Sequence, residues 1–156
     1  NIIIRRHARF QVQGNGIIAS YIHLGGKVGV LLEVGCGKAE TAQNDLFREV
    51  VKDVTLHIAA CNPHCLSRSE VPEKVLTGEK ENYAKQVQGK PANIIEKIVA
   101  GKLDKFFQQI CLLEQGFVKD PDQTVTELLA AKGKEIGDAL TIRRFARYQV
   151  GEEIAS

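Results

Sequence analysis

The segment Ile4-Arg5-Arg6-His7-Ala8-Arg9-Phe10-Gln11-Val12 returns near the other end of the chain as Ile142-Arg143-Arg144-Phe145-Ala146-Arg147-Tyr148-Gln149-Val150. Two positions differ, and rings hold both of them in each copy. Copies at opposite ends are not the short period of a solenoid, whose units recur every roughly 20–50 residues. On strand geometry the second copy sets Ile142, Ala146, Tyr148 and Val150 on one face and Arg143, Arg147 and Gln149 on the other. Each copy therefore reads as a half-buried strand. Residues 1–13 then read as the strand that closes a preceding, related unit, and residues 14–156 as a core domain with a closing strand of its own.

Between the copies the pattern changes from strand to helix and back. Ile17 to His23 and Val28 to Val34 are rich in branched residues and flank Gly25-Gly26, which predicts a β-hairpin. From Asn44 to Cys61 the spacing of Phe47, Val50, Val51, Val54, Ile58 and Cys61 is helical, with Pro63 just past the end, so this helix is expected to pack on the hairpin. Ser67-Arg68-Ser69-Glu70 has the spacing of a capping box. A helical hairpin follows at about 79–110: Glu79 to Gln88, a break at Gly89-Lys90-Pro91, then Asn93 to about Ile110 with a wide apolar stripe through Ile94, Ile98, Leu103 and Phe107. Lys119-Asp120-Pro121-Asp122 reads as a turn, and Thr124-Val125-Thr126-Glu127 as a second capping box opening a short helix before the closing strand. Strands, then helices, then a strand indicate the α+β class rather than a parallel βαβ sheet.

Composition excludes several classes. A chain of 156 residues with 44% hydrophobic and 26% charged residues is ordinary for a globular domain. No apolar run approaches the roughly 20 residues of a membrane-spanning helix, so the chain reads as soluble and without a membrane partner. The net charge of +2 comes with acidic residues interspersed along the chain, which argues against direct nucleic-acid binding. The arginines of the two repeats read as a solvated strand face, flanked in the second copy by Glu152 and Glu153. Four cysteines without regular spacing read as reduced thiols, which points to a cytoplasm, stroma or matrix. Asn1, with charge directly after Ile2-Ile3-Ile4, gives no signal-peptide pattern, and the chain reads as a fragment of something longer.

Chemistry-bearing motifs are few. His57, Cys61, His64 and Cys65 form the best metal candidate, but the paired spacing of zinc sites is absent, and neither a metal nor a cofactor is expected. Gly35-Cys36-Gly37-Lys38 falls short of a phosphate loop, because Leu32 stands where its first glycine belongs and Ala39 where Ser or Thr does. No Ser-His-Asp arrangement stands out, and no catalytic residue is assigned.

Five segments in order, SYIHLGGKVGVLLEV (Ser20 to Val34), LHIAACNP (Leu56 to Pro63), GKPANIIEKIVAGKLDKFF (Gly89 to Phe107), LLEQGFVKDP (Leu112 to Pro121) and IRRFARYQVGE (Ile142 to Glu152), resemble the core, or dimerisation, domain of translation elongation factor Ts. The plastid and cyanobacterial members look nearest. The resemblance implies a small antiparallel sheet covered by helices, with 79–110 as a protruding antiparallel helical hairpin. It also implies a non-enzymatic role: binding elongation factor Tu and supporting release of its GDP during protein synthesis, in a chloroplast stroma or a bacterial cytoplasm. An exchange factor must bind the nucleotide-free partner better than the GDP-bound one, since only differential affinity moves that equilibrium.

The family associates this step with a Thr-Asp-Phe-Val motif between the second strand and the following helix. Here the aligned positions are Lys38-Ala39-Glu40-Thr41, so neither the acidic nor the aromatic role carries over. The helical module that adds partner contacts in the family has no counterpart in these residues. Partner-binding positions carry over at Val28 and Gly29, in the turn-strand motif, and at His57, the histidine of the HIAA motif. Plainer readings stand beside them: Val28 as core, Gly29 as a site of close backbone approach, His57 as a satisfied, partly buried histidine. Two functional readings follow. In one the chain is the motif-less subdomain of an exchange factor; in the other it is an exchange-inactive module that docks a translation factor or the ribosome.

Overall fold

The computed structural model describes residues 1–154, which form β1 (Gly16–His23), β2 (Val28–Cys36), α1 (Asp45–Cys61), α2 (Glu73–Gln86), α3 (Ala92–Ile110), β3 (Gly116–Phe117), β4 (Asp120–Thr124), α4 (Val125–Ile136) and β5 (Leu140–Gln149). The class is α+β. The chain divides into two units, residues 1–62 with 126–156, and residues 63–125.

The first unit is built on a three-stranded antiparallel sheet in the order β1-β2-β5. Central β2 is buried along most of its length because both of its edges are paired and α1 lies on one face. Val28, Val30, Leu32 and Val34 alternate toward that face, where Phe47, Val50, Val51, Val54 and Ile58 of α1 meet them, and each is at most 3% exposed. Burying a side chain of this size is worth roughly 1.5–3 kcal/mol, so this stripe is the main source of stability in the unit. The helix begins where Asn44 Oδ1 accepts the Phe47 N–H at 3.1 Å. It ends where Asn62 turns left-handed at φ 47° ahead of Pro63.

Pairing of β2 with β5 slips at Glu33/Val34: Glu33 faces Arg144 and Val34 faces Ile142, which leaves Arg143 as the extra residue of a bulge. A bulge resets the alternation downstream. Ile142 turns to the α1 face, whereas Ala146 and Tyr148 pair with Leu31 and Gly29 on the opposite face. The expected grouping of Ile142 with Ala146 and Tyr148 is therefore corrected; unbroken period-two counting cannot register an inserted residue. Arg147 belongs to the helix face and donates from Nη2 to the Ala59 carbonyl at 3.1 Å, near the C-terminal end of α1, where a cation is favoured.

The first copy of the repeat behaves differently from the second. Residues 1–13 form no strand among the described residues. They run along the open face of the sheet, held by side chains: Arg6 stacks on Tyr148, Arg144 stacks on Phe10, and Arg144 Nη2 donates to the Gln11 carbonyl at 3.0 Å. A half-buried strand needs a neighbour for its ladder, and the backbone of this copy joins neither edge of the sheet.

In the second unit α2 and α3 form the helical hairpin. Leu76 packs near Leu103 and Phe107, while Tyr83 lies by Lys102, so the two helices run antiparallel. Three boundaries differ from expectation. The first helix starts at Glu73 rather than Glu79, because Pro72 sits at its N-cap with a fixed φ suited to a helix start. Ser67-Arg68-Ser69-Glu70 closes only a 3-10 turn, with Glu70 Oε2 accepting the Leu66 N–H at 2.8 Å. Asp120-Pro121-Asp122 opens β4 rather than a turn; the strand is short and exposed, which tolerates proline.

Candidate functional site

The candidate partner-binding positions Val28, Gly29 and His57 fall in the first unit, where three places bear on function. Val28 and Gly29 open β2 directly after the turn. Val28 is 2% exposed on the α1 face and belongs to the core. Gly29 lies on the open face between Ile22 of β1 and Tyr148 of β5. A Cβ added to Gly29 would meet only the Ile22 Cδ1 at 3.5 Å, an ordinary contact, so the fold of this unit does not itself require glycine there. An apolar depression of about 300 Å³ lies here between the sheet, at Ile22, Gly29, Ala146 and Tyr148, and His7 and Ala8 of the segment that runs along its open face. His57 is 0% exposed within α1. The structure brings Val28 and Gly29 together and sets His57 in the core, with its side chain away from solvent.

Two residues that the sequence reading did not single out are exposed here: Ile22, which lines the depression, and Leu24, in the turn that follows β1. Ile22 is 67% exposed and Leu24 62% exposed. Leu24 has φ 52°, a left-handed conformation uncommon for leucine, at the head of the tight turn Leu24–Gly26. The sequence carried a signal for both. Strand alternation from Ser20 places Ile22 on the outward face, and an apolar residue immediately before Gly25-Gly26 has no core to enter.

The second place is the loop that aligns with the family motif. Cys36 ends β2, and residues Ala39–Gln43 form a 3-10 turn. One carboxylate organises the loop. Asp138 accepts the Gly37 N–H at 3.0 Å, the Lys38 N–H at 2.9 Å and the Thr41 hydroxyl at 2.6 Å, while Lys38 Nζ donates to the Gly137 carbonyl at 3.1 Å. The Thr41 hydrogen bond, followed by the amides of Lys38, Ala139 and Gly37, holds the Asp138 carboxyl below the usual carboxylate range against the opposing effect of desolvation. Thr41 is buried, whereas Ala39 and Glu40 face solvent. The loop thus presents charged Glu40 at the position where the resemblance leads one to expect an aromatic ring.

The third place is the Glu33 cluster. Glu33 is 1% exposed, accepting from Arg143 Nη1 at 3.0 Å, Arg144 Nε at 2.7 Å and the Gln13 N–H at 2.9 Å. Burial pushes its carboxyl up, but the Gln13 amide and the two guanidinium groups outweigh burial and leave it net lowered. The bulge at Arg143 is what lets consecutive arginines reach one carboxylate. Gly35 completes the arrangement, since a Cβ there would sit 2.5 Å from Arg143 Nε. Five of the six repeat arginines are thus held within the unit rather than on a free solvated face, Arg143 and Arg144 by Glu33, Arg147 by Ala59, and Arg5 and Arg6 by Glu152, while Arg9 is exposed.

No group of three or more potential metal ligands, the His57, Cys61, His64 and Cys65 set included, is gathered among the described residues. Nor is any helix among them long and apolar enough to cross a membrane.

These features define a small α+β module on a three-stranded antiparallel sheet, with a helical hairpin inserted before its closing strand and no catalytic constellation assembled at the sites described. The family model "Elongation factor TS" matches residues 1–152, and the chain belongs to the elongation factor Ts family. Among its curated relatives, elongation factor Ts of Geobacter sulfurreducens is 50% identical over 139 residues, covering 88% of this chain and 64% of that protein. The protein of the same name from Trichlorobacter lovleyi is 47% identical over 154 residues, covering 97% of this chain and 49% of the relative. That from Alkaliphilus oremlandii is 49% identical over 146 residues, covering 92% and 67%. The chain thus spans about half to two thirds of the length of these relatives.

Proposed function

We propose that this chain is the part of an elongation factor Ts that grips elongation factor Tu, while the group that disturbs the bound nucleotide comes from elsewhere in the exchange factor. The observation that carries this reading is the end of the β1-β2 hairpin. Exposed Ile22 pairs with Gly29, whose position would tolerate a side chain, and a strained, exposed Leu24 stands in the adjoining turn. An apolar rim next to bare backbone suits a protein partner, because main-chain approach and desolvated apolar area combine at one spot. Gly29 supplies the approach, and Val28 fixes its register from the core. His57, buried within α1, belongs to the core rather than to the partner surface.

Within a longer protein, residues 1–13 would serve as the closing strand of a preceding, related unit, and that unit would carry the exchange motif. The work is non-covalent, with no metal or cofactor. The compartment that goes with it is a bacterial cytoplasm or a chloroplast stroma. A specific observation favours the second reading, an exchange-inactive module: the motif-equivalent loop shows solvent Ala39 and Glu40 and is pinned by Asp138.

Titration of the purified chain against nucleotide-free and GDP-bound elongation factor Tu tests the binding. The expected outcome is measurable affinity for the nucleotide-free form, weakened at least tenfold by Leu24→Gly together with Ile22→Ser. No affinity for either form would end the reading and leave a module for another partner.

A further inference from the structure

The base of the helical hairpin holds a pair of thiols that neither the family match nor the proposed partner binding uses. Cys65 lies in the connection leading into α2, and Cys111 follows the last residue of α3. Their sulfurs stand 3.5 Å apart. The backbone holds them there: the two residues form a parallel β-bridge, Cys65 N–H donates to the Ile110 carbonyl at 3.2 Å, and Leu112 N–H donates to the Cys65 carbonyl at 2.9 Å. Bridge partners lie about 5 Å apart at Cα, within the roughly 4.4–6.8 Å that a disulfide spans. The sulfurs have only to close from 3.5 Å to the bond length of about 2.05 Å. The other thiols, Cys36 and Cys61, lie in the first unit.

We propose that Cys65 and Cys111 are a reversible oxidation site, forming an intrachain disulfide by exchange with small-molecule disulfides of the glutathione class. Cys65 is partly exposed and Cys111 is fully buried, which sets the order of events. The Cys65 thiolate attacks one sulfur of the small disulfide, a thiolate leaves, and a mixed disulfide forms at Cys65. Cys111 then gives up its proton and attacks the Cys65 sulfur, expelling the second thiolate. Two protein thiols lose two electrons and two protons, and one external disulfide becomes two thiols.

Burial pushes both thiols up, Cys111 to about 12. Exchange at neutral pH is therefore slow, and the bond resists reduction once made, because little thiolate is available to stabilise the reduced state. The bond would close a loop containing α2 and α3 and fix the hairpin at its base.

The wild-type chain, incubated in graded mixtures of reduced and oxidised glutathione, acid-quenched and alkylated, tests this by intact mass and peptide mapping. Before alkylation the expected product is lighter than the reduced chain by about 2 Da, and after it the chain gives a Cys65–Cys111 linked peptide with alkyl groups at Cys36 and Cys61 only. Its thermal midpoint should rise by roughly 5 °C or more and return on adding reductant. Cys65→Ser and Cys111→Ser each abolish the linked peptide, while Cys61→Ser leaves it; the wild-type map stands even where Cys111→Ser folds poorly. A stable adduct heavier by about 305 Da at Cys65, a dimer linked through Cys61, or four alkylated thiols after prolonged oxidation would overturn the proposal.

Discussion

The two units of this chain solve the problem of stability in opposite ways. In the first, a strand paired on both edges and covered on one face by α1 concentrates fully buried side chains from Val28 to Val34 and from Phe47 to Ile58. In the second, α2 has no buried residue among those described, and α3 buries only Leu103 and Phe107, both toward the end that Cys111 closes. The sheet unit is a scaffold whose geometry tolerates little change. The helical hairpin is anchored at its base and lightly packed beyond it, which sets it at the low-stability end of the fold.

The largest effect that could break this contrast is a core truncation set against a hairpin truncation. Leu32→Ala should cost about 3–5 kcal/mol in urea denaturation, while Ile94→Ala on α3 should stay within about 0.5 kcal/mol. Similar losses at the two sites would mean that the hairpin shares the core's burden.

The next largest compares two arginine–carboxylate clusters. Arg143 and Arg144 meet a Glu33 that is 1% exposed, whereas Arg68 forks onto Glu114 at 2.7 Å and reaches Asp104 with its side chain 48% exposed. Glu33→Ala should cost about 3 kcal/mol, because it leaves two guanidinium groups without the charge they surround. Arg68→Ala should cost about 1 kcal/mol, part of it from lost stacking on Phe107. Equal costs in denaturation would show that burial does not govern these pairs.

A smaller test concerns acid. Glu33 and Asp138, both in the first unit, have carboxyls lowered from their ordinary values. A lowered folded value means that the unfolded chain binds protons more readily, so the stabilisation is complete above the ordinary range near pH 4 and is lost as pH falls through the folded values. Denaturation midpoints should therefore fall below about pH 4. Asp138→Asn should flatten part of that slope while leaving midpoints at neutral pH only modestly lower.

Much of this scaffold was legible in the sequence. Branched runs around Gly25-Gly26 predicted the β-hairpin, and the spacing from Phe47 to Ile58 predicted α1 within a residue of its observed start, because a continuous core face leaves a strong periodic trace. What was not legible depends on partners far away in the chain. The bulge at Arg143 exists only in the register between β2 and β5, the Glu33 cluster depends on that bulge, and Asp138 reaches back about a hundred positions to the Lys38–Thr41 loop. The start of α2 was placed late because its sequence is polar, and its onset is set by Pro72 rather than by periodicity. At the candidate site the sequence pointed to Val28, Gly29 and His57. The residues that face outward there, Ile22 and Leu24, stood beside them unremarked because an apolar residue in a strand is ordinarily assigned to the core.

The contrast between an intact scaffold and an altered loop is tested most directly by the rate of GDP release from elongation factor Tu on addition of this chain. With Lys38-Ala39-Glu40-Thr41 in place, saturating chain should leave release close to its spontaneous rate while still associating with the nucleotide-free factor. Rapid release at low concentrations of the chain would contradict the division of labour argued above, and would place the exchange activity in the scaffold itself.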